Sequence, residues 1–94
     1  PAEIESFINN LPGVAESGVV GVPHPDFGEV GVAVVVPKAG ATVNAASVVA
    51  AIKSEMANFK VPKHCVIVDA LPRNIMGKVQ KNLIRAEYAQ LFTA

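Results

Sequence analysis

Two valine-rich runs on either side of a short polar segment constrain the fold more than any other feature. The runs are VAESGVVGV at residues 14–22 and VGVAVVVPK at residues 30–38, and Pro and Gly bound them. Valine is β-branched and favours extended backbone, so each run predicts a β-strand. The segment between them, PHPDFGE at residues 23–29, has the composition of a tight polar turn. The sequence therefore predicts an antiparallel β-hairpin.

A helix is predicted on each side of this hairpin. In residues 1–11, apolar side chains recur at the i, i+3, i+4, i+7 spacing of one helix face, and the Pro-Gly pair that follows ends the pattern. A second helix is expected to begin at a cap residue, either Thr42 or Asn44, and to run to about Asn58. The inward face of that helix is predicted to contain Val48, Val49, Ile52 and Met56.

A third strand and a last helix complete the predicted order. HCVIVD at residues 64–69 is a short apolar run, expected to lie parallel to the second strand through a right-handed crossover. The last helix is predicted to begin near Lys81, with Ile84, Tyr88 and Leu91 on one face. This order indicates the α+β class: a small mixed three-stranded sheet covered by helices.

The amino-acid composition limits the classes of protein to which this chain can belong. Ninety-four residues are enough for one domain or a piece of one, and a hydrophobic fraction of 51% supports a core and argues against disorder. No run approaches the about 20 apolar residues of a membrane span. The one cysteine, Cys65, excludes an intramolecular disulfide and favours a cytoplasmic protein. A formal net charge of zero argues against general binding to nucleic acid or membrane surfaces.

Charge is unevenly distributed along the chain. Residues 1–52 carry five acids and one base, a sum of −4, whereas residues 53–94 carry seven bases and three acids, a sum of +4. These counts fit scattered, solvated charge. They equally fit a basic edge in the second half that meets a small anion.

Most polar residues that support chemistry in other proteins have a simpler structural explanation in this chain. His24 lies between two prolines and is predicted to be a solvated turn residue. Cys65 lies in a predicted strand, where a small buried hydrophobe is expected rather than a nucleophile. Glu29 begins a strand and is interpreted as a turn acid. His24 and His64 are far apart in sequence without metal-ligand spacing, so no metal site is predicted.

The segment PRNIMGKVQKN at residues 72–82 differs from the rest, because it holds three basic residues and no acid. Pro72 stiffens this loop, and Gly77 lets the backbone turn sharply and approach a ligand closely. Lys78 projects a compact positive charge on a long stem, which suits the neutralisation of phosphate oxygens in a transition state. Taken alone, the Gly-Lys pair is a weak signal and favours an ordinary surface lysine over a functional one.

Four stretches together resemble one enzyme family. PRNIMGKVQKNLIR at residues 72–85, preceded by FKVPKHCVIVDALP at residues 59–72, resembles the C-terminal signature of acyl-CoA synthetases of the adenylate-forming superfamily. PAEIESFINNLPGVAESGVVGVPHPDFGE at residues 1–29 and VAVVVPK at residues 32–38 are similar to the opening of the same domain. The resemblance covers essentially the whole chain in the right order. The motifs LPRN-x-MGKVQKN and GVPHPDFGE are most similar to those of malonyl-CoA synthetases.

The resemblance implies a reaction in two steps. A carboxylate attacks the α-phosphate of Mg-ATP and gives an acyl-adenylate and pyrophosphate, after which the thiol of CoA attacks the adenylate and gives acyl-CoA and AMP. ATP, Mg²⁺ and CoA are therefore the implied substrates and cofactor. In the family a large N-terminal domain holds ATP and the acyl pocket, and a small C-terminal lid rotates between the steps. Residues 1–94 look like that lid alone.

The same resemblance implies roles for individual residues. Lys78 matches the family's catalytic lysine, which bridges the acyl carboxylate and the α-phosphate during adenylation. The residues expected to shape the loop are Pro72, Arg73, Asn74 and Gly77. Lys81 and Arg85 are weaker candidates for contact with the phosphates of ATP or CoA.

Further expectations concern the state and partners of the chain. The family's hinge residue and Gly-rich hairpin lie just before the position that matches Pro1, so we expect a fragment that is catalytically inert alone. Its expected partners are its own N-terminal domain, ATP, a carboxylic acid and CoA. Family members are acetylated at the catalytic lysine, so a lysine acetyltransferase is an expected partner of Lys78.

Two alternatives remain at the level of sequence. The lid of a peptide-synthetase adenylation domain or of a luciferase-like oxidase shares the lysine but serves a different acceptor, a carrier-protein thiol or oxygen. A small α+β interaction module without catalytic function is the second alternative. The residues do not set the acyl substrate, because the acyl pocket belongs to the large domain.

Overall fold

The computed structural model describes residues 2–57 and 60–93. Within these two ranges, three α-helices and three strands follow one another in the predicted order, which confirms the α+β class with a small mixed sheet. None of the helices in these two ranges is long and apolar enough to span a bilayer. The elements are α1 (Ala2–Asn9), β1 (Val14–His24), β2 (Gly28–Pro37), α2 (Ala45–Glu55), β3 (His64–Ile67) and α3 (Lys81–Tyr88).

The β1–β2 hairpin is confirmed, but its turn is shorter than the sequence suggested. The two strands pair antiparallel, and the ladder extends to His24 opposite Gly28, which leaves residues 25–27 as the loop. His24 Nδ1 accepts hydrogen bonds from the backbone N–H groups of Asp26 (3.0 Å) and Phe27 (3.4 Å), so the imidazole itself closes the turn. Gly28 follows with a φ of 77°, the left-handed conformation that completes such a loop.

The third strand joins the sheet as predicted. The strand order is β1-β2-β3, and β3 runs parallel to β2, with Val32 opposite His64 and Val35 opposite Ile67. Helix α2 provides the crossover that parallel neighbours require. β3 ends at Ile67 instead of residue 69, although the Val68 N–H still donates to the Val35 carbonyl (2.9 Å).

Both faces of the sheet are covered. On the first face, helices α1 and α2 pack over one set of strand side chains, and on the second face α3 and Leu71 pack over the alternate set. The first cluster is Ile8, Val14, Val19, Ala33, Val35, Val48 and Ile52. The second cluster is Val20, Val22, Val32, Val34, Val36, Leu71 and Ile84. Successive β-strand side chains point to opposite faces, so the unbroken buried run from Val32 to Val36 serves both clusters.

Helix α2 begins at the second of the two proposed caps. The Asn44 side chain accepts a hydrogen bond from the Ser47 N–H (3.0 Å), which satisfies one of the free donors of the first turn. Val48 and Ile52 are buried on its inward face, and Met56 packs at its end. The helix ends at Glu55, and the predicted last residue, Asn58, lies outside the described residues.

The predicted apolar face of the last helix is wrong at Leu91. Helix α3 ends at Tyr88, so helical spacing no longer places the side chain three residues later on the same face. Leu91 is exposed, and Tyr88 and Phe92 pack against the second cluster together with Ile84. Burial, with a smaller contribution from neighbouring Glu87, raises the pKa of the Tyr88 hydroxyl.

Two neighbouring residues of α3 test the assignment of the second cluster. Ile84 is 3% exposed and Leu83 is 51% exposed. Ile84→Ala is expected to lower the free energy of unfolding by about 2–5 kcal/mol, since it leaves a cavity under the sheet. Leu83→Ala, the control at an exposed position, is expected to change it by less than about 1 kcal/mol. Urea unfolding of the 94-residue chain measures both, and equal losses would contradict the described packing.

Candidate functional site

The segment that carries Lys78 is a hydrogen-bonded turn. The Asn74 N–H donates to the Lys78 carbonyl (2.9 Å), and the Gly77 N–H donates to the Asn74 carbonyl (2.9 Å). One step farther out, the Gln80 N–H donates to the Pro72 carbonyl (2.8 Å). Gly77 has a φ of 83°, so the sharp reversal uses the one residue type that adopts this conformation without strain. The segment is therefore a small hairpin that presents Lys78 immediately after its tip.

The Asn74 side chain fixes the inside of this turn. Its Oδ1 accepts hydrogen bonds from the N–H groups of Met76 (3.0 Å) and Lys78 (2.9 Å). An asparagine side chain that bonds the backbone two residues on forms an Asx-turn and stabilises the local reversal. The backbone amide of Lys78 is thus held in place by a side chain of the same loop.

Arg73 fastens the turn to the sheet. One guanidinium nitrogen, Nη1, donates to the Gly77 carbonyl (2.7 Å), and the other, Nη2, forms an ion pair with the Glu16 carboxylate on β1. The planar guanidinium suits two simultaneous contacts of fixed geometry. Both side chains are partly exposed, so the pair positions the loop more than it stabilises the fold.

Lys78 differs from Arg73 and Lys81, the two nearest bases, because no acid among the described residues pairs with it. Its side chain is exposed, and its ammonium makes no ion pair within residues 2–57 and 60–93. By contrast, the Lys81 ammonium pairs with the Glu5 carboxylate, and Arg85 Nε donates to the Gly21 carbonyl (3.3 Å). Within residues 72–82, the charge of Lys78 is therefore the one that no described carboxylate compensates.

Ion pairs between the two halves of the chain explain much of the charge asymmetry. Three acids of the first half pair with three bases of the second: Glu3 with Lys60 (2.5 Å), Glu16 with Arg73, and Glu5 with Lys81. The hydrogen bond from Lys60 lowers the pKa of the Glu3 carboxyl. The basic second half therefore complements the acidic first half, and only part of it is free to meet an outside anion.

Glu5 links three elements through one carboxylate. Its Oε2 accepts a hydrogen bond from the Val19 N–H on the edge strand β1 (2.7 Å) and also pairs with Lys81 at the start of α3. Because α1 and α3 lie on opposite faces of the sheet, this contact joins the two layers around the edge. It also fixes where α3 begins, directly after the Lys78 turn.

The tip of the turn is apolar, a feature that the sequence reasoning missed. Ile75 is 103% exposed and Met76 is 88% exposed. Turn positions favour small and polar residues, so two large apolar residues in succession were the available signal. Exposed apolar groups that are adjacent to one another mark contact surfaces more often than isolated ones do.

The other sequence candidates lie away from this turn. The prediction that His24 is solvated is wrong, because its ring is partly buried and packs against Phe27 and Phe92 at centroid distances of 4.8 and 5.2 Å. Cys65 is partly buried and packs against the first cluster, and burial raises the pKa of its thiol. Glu29 is exposed at the start of β2, where its side chain lies over Gly21.

Two clefts of the described surface lie away from the turn. One cleft of about 660 Å³ lies between α1, the β-hairpin and residues 60–63, and a shallower one lies between α2 and β3. Neither includes any of residues 72–80. Within the described ranges, no group of three or more His, Cys, Asp or Glu side chains could hold a metal ion.

Comparison with known proteins gives consistent matches over nearly the whole chain. The model of the AMP-binding enzyme C-terminal domain matches residues 3–78. A methyl-dioxo-octahydro-indenyl-propanoyl:CoA ligase of Rhodococcus jostii (strain RHA1) is 54% identical over 93% of this chain and 17% of its own length. Indoleacetate–CoA ligase of Aromatoleum aromaticum is 45% identical over 90% of this chain and 17% of its own.

A crystal structure is similarly close. ATP-bound MatB from Rhodopseudomonas palustris superposes with a TM-score of 0.95 and 52% identity, over 99% of this chain and 18% of that chain. The chain thus spans less than a fifth of the length of each of these proteins.

Substitutions of Gly77, which has left-handed backbone angles, test the geometry of the turn directly. Nothing lies within 4 Å of a Cβ built at Gly77, so a side chain there meets no clash and only the backbone is strained. Gly77→Ala is expected to destabilise the turn by about 1–2 kcal/mol, and Gly77→Asn by less, because asparagine tolerates this conformation. Hydrogen exchange at the Gln80 amide reports turn opening. Equal protection in all three proteins would contradict the described conformation.

The Cys65 thiol is expected to be unreactive in the folded chain. Because burial raises its pKa above the ordinary value of 9.0, little thiolate exists at pH 8. Alkylation by iodoacetamide at pH 8 should be at least about tenfold slower in the native than in the urea-unfolded chain. The unfolded chain ionises first as pH rises, so this thiol lowers stability progressively above its unfolded pKa. Equal alkylation rates would contradict the burial, and Cys65→Ala gives the background.

Proposed function

Because the chain belongs to the AMP-binding enzyme C-terminal domain family, we propose that it is the small lid domain of an ATP-dependent acyl-CoA synthetase. The names of the similar curated proteins support CoA as the acceptor, since both are CoA ligases. They favour this acceptor over the carrier thiol or oxygen of the other adenylating enzymes. The activity belongs to a whole protein of which this domain would be about a fifth or less.

The proposed reaction has two steps. In the first, a carboxylate oxygen attacks the α-phosphate of ATP, the bond to the β,γ-diphosphate breaks, and an acyl-adenylate and pyrophosphate result. In the second, the CoA thiol loses its proton and attacks the acyl carbon, which releases AMP and gives the thioester. Both steps need a cleft that this domain closes but does not contain.

The uncompensated charge of Lys78 carries the proposal. In the first step two anions, the carboxylate and the α-phosphate, must approach each other. A cation held between them lowers their repulsion and stabilises the charge that builds on the phosphoryl oxygens. The effect is larger in a cleft from which water is excluded. Arg73 and Lys81 are paired with carboxylates, so Lys78 is the basic residue of the turn that is free for this role.

The residues around Lys78 are proposed to position it. Asn74 holds the Lys78 amide, Gly77 provides the reversal, and Arg73 ties the turn to Glu16 on the sheet. Pro72 accepts the outer hydrogen bond and restricts the entry to the turn. A group that is placed before the reaction loses less entropy when the transition state forms.

Lys81 and Arg85 receive no role in the reaction. Lys81 is held by Glu5, and Arg85 donates to a backbone carbonyl of β1, so both have structural partners. Among the described residues, no group of three or more His, Cys, Asp or Glu side chains could hold the Mg²⁺ that accompanies ATP. ATP itself is supported by the ATP-bound state of MatB.

Malonate is the acid that we propose. The 52% identity to MatB and the resemblance of residues 72–82 to malonyl-CoA synthetases support it. The relative at 54% identity takes a far bulkier acid, which agrees with an acyl pocket that lies outside this domain. A panel of carboxylates assayed with the complete enzyme decides this point independently of the role of Lys78.

We also propose that acetylation of Lys78 regulates the reaction. The side chain is exposed, so a lysine acetyltransferase in the cytoplasm has access to it. Acetylation removes the charge on which the proposed role depends. Full adenylation activity of the enzyme with quantitatively acetylated Lys78 would contradict this proposal.

Replacement of Lys78 in the complete enzyme tests the proposed function. Lys78→Ala is expected to lower the rate of adenylation, measured as ATP–pyrophosphate exchange, by about 10²–10³-fold, the range for removal of one transition-state charge contact. Thioester formation from supplied acyl-adenylate should persist. Lys53→Ala, at another exposed lysine on α2, is the matched control and should leave both steps unchanged.

Two outcomes would contradict the proposal. Unchanged exchange in the Lys78→Ala enzyme would make Lys78 an ordinary surface residue. Detectable exchange by the 94-residue chain alone would contradict the lid assignment, because the proposed cleft lies outside these residues.

A further inference from the structure

The apolar tip of the Lys78 turn, formed by Ile75 and Met76, has no function within the domain. Both side chains are almost fully exposed, so they contribute nothing to either core cluster. Polar residues satisfy the same turn geometry, since the bonds that close it come from Asn74 and the backbone. Two large apolar groups at this place therefore need a reason outside the fold.

The tip is held outward by the same bonds that hold the lysine. Asn74 Oδ1 bonds the Met76 amide, and the Gly77 amide bonds the Asn74 carbonyl. A braced turn of this kind keeps Ile75 and Met76 away from the domain surface. Since the backbone that carries them is already held by these bonds, little backbone entropy is lost when they enter a recess of matching shape.

Distance ties the tip to the reacting groups of the proposed function. The ends of a four-residue turn lie within about 7 Å of each other, so Ile75, Met76 and Lys78 move as one body. When the Lys78 ammonium reaches the carboxylate and the α-phosphate, the tip therefore contacts the protein surface that borders these two anions.

We propose that Ile75 and Met76 seat in an apolar recess of the large, adenylate-holding part of the same enzyme, beside the site that Lys78 enters. This inference rests on the proposed function. The seat fixes the depth to which Lys78 enters and excludes water around the α-phosphate. It thereby makes Ile75 and Met76 positioning residues for adenylation.

A lipid surface fits the tip less well. Peripheral membrane segments combine apolar residues with a basic cluster that meets anionic headgroups. Here the flanking bases Arg73 and Lys81 are neutralised by Glu16 and Glu5, which leaves the single charge of Lys78. One charge and two apolar side chains give weak attraction to a bilayer.

A second copy of the chain fits it no better. A stable interface buries on the order of 1,000 Å² or more, far beyond what two side chains provide. In the similar proteins the matched region is less than a fifth of the length. The rest of each protein therefore offers a large surface on which the tip could bind. The large part of the enzyme is therefore the occupant that the observations favour.

The kinetic test uses the complete enzyme with Ile75→Ser and Met76→Ser combined. We expect kcat/KM for ATP–pyrophosphate exchange to fall about a hundredfold or more, the loss for two apolar side chains that are no longer buried. Thioester formation from supplied acyl-adenylate should be unchanged. The single variant Met76→Leu, which keeps Ile75 and the apolar volume of the tip, should retain most of the wild-type activity. Leu83→Ser, at an exposed apolar position on α3, is the control.

A second test measures burial directly. The Met76→Cys variant of the complete enzyme is alkylated under two conditions. In the first no ligand is added; in the second the enzyme holds malonate and an ATP analogue with a methylene group between the α- and β-phosphates. This analogue cannot release pyrophosphate, so the state before adenylation persists. Alkylation at Met76→Cys should slow about tenfold or more with both ligands, whereas Leu83→Cys should not change. Cys65 contributes little background, because its thiol is partly buried.

The outcomes separate this inference from the proposed function. Loss of exchange in Lys78→Ala, with full activity and no protection in the tip variants, would overturn the docking of the tip and leave the proposed function standing. Protection that appears only with added anionic vesicles, or that rises with enzyme concentration in the absence of ligands, would assign the tip to lipid or to a second copy and overturn it too. Selective loss of adenylation together with ligand-dependent protection supports it.

Discussion

The burial of β2 on both faces is the constraint on which the rest of the structure depends. Five successive residues from Val32 to Val36 are buried, so each face of the strand needs its own cover. Helices α1 and α2 cover one face, and α3 with Leu71 covers the other. After β3 the chain reaches the second face at Leu71, and α3 packs on the same face through Ile84. The Lys78 turn connects these two anchors, so the packing of the second face fixes both of its ends.

Charge pairing then determines which basic residue remains available. Glu5 bonds the edge strand through Val19 and holds Lys81, while Glu16 holds Arg73. Such partly exposed pairs add little to stability, on the order of 1 kcal/mol or less each. Their importance lies in position, because they fix both ends of the turn and neutralise the charges on either side of Lys78. An acid partner for Lys78 would have to be displaced before the lysine could meet an anion, and the described residues offer none.

Local patterns predicted the elements well and the contacts between them poorly. Valine runs and helical spacing predicted the hairpin and the third strand and limited the cap of α2 to Thr42 or Asn44, because these features depend mainly on neighbours in sequence. The closure of the hairpin by His24 and the exposure of Leu91 were missed, since each depends on where an element ends. The pairing of Arg73 with Glu16 joins residues 57 positions apart, which no local period encodes. Lys78 was found through its Gly-Lys context and a resemblance, whereas its lack of an acid partner emerged only from the fold.

The central claim is that the positive charge of Lys78, presented by a braced turn, is what adenylation requires. The most direct measurement restores that charge chemically in the complete Lys78→Cys enzyme. Bromoethylamine converts the cysteine to a thioether that ends in an ammonium group, and iodoacetamide converts it to a neutral amide of similar size. The account predicts that ATP–pyrophosphate exchange returns with the ammonium adduct and stays low with the amide, against a wild-type enzyme treated in the same way. Equal activity of the two adducts would contradict it.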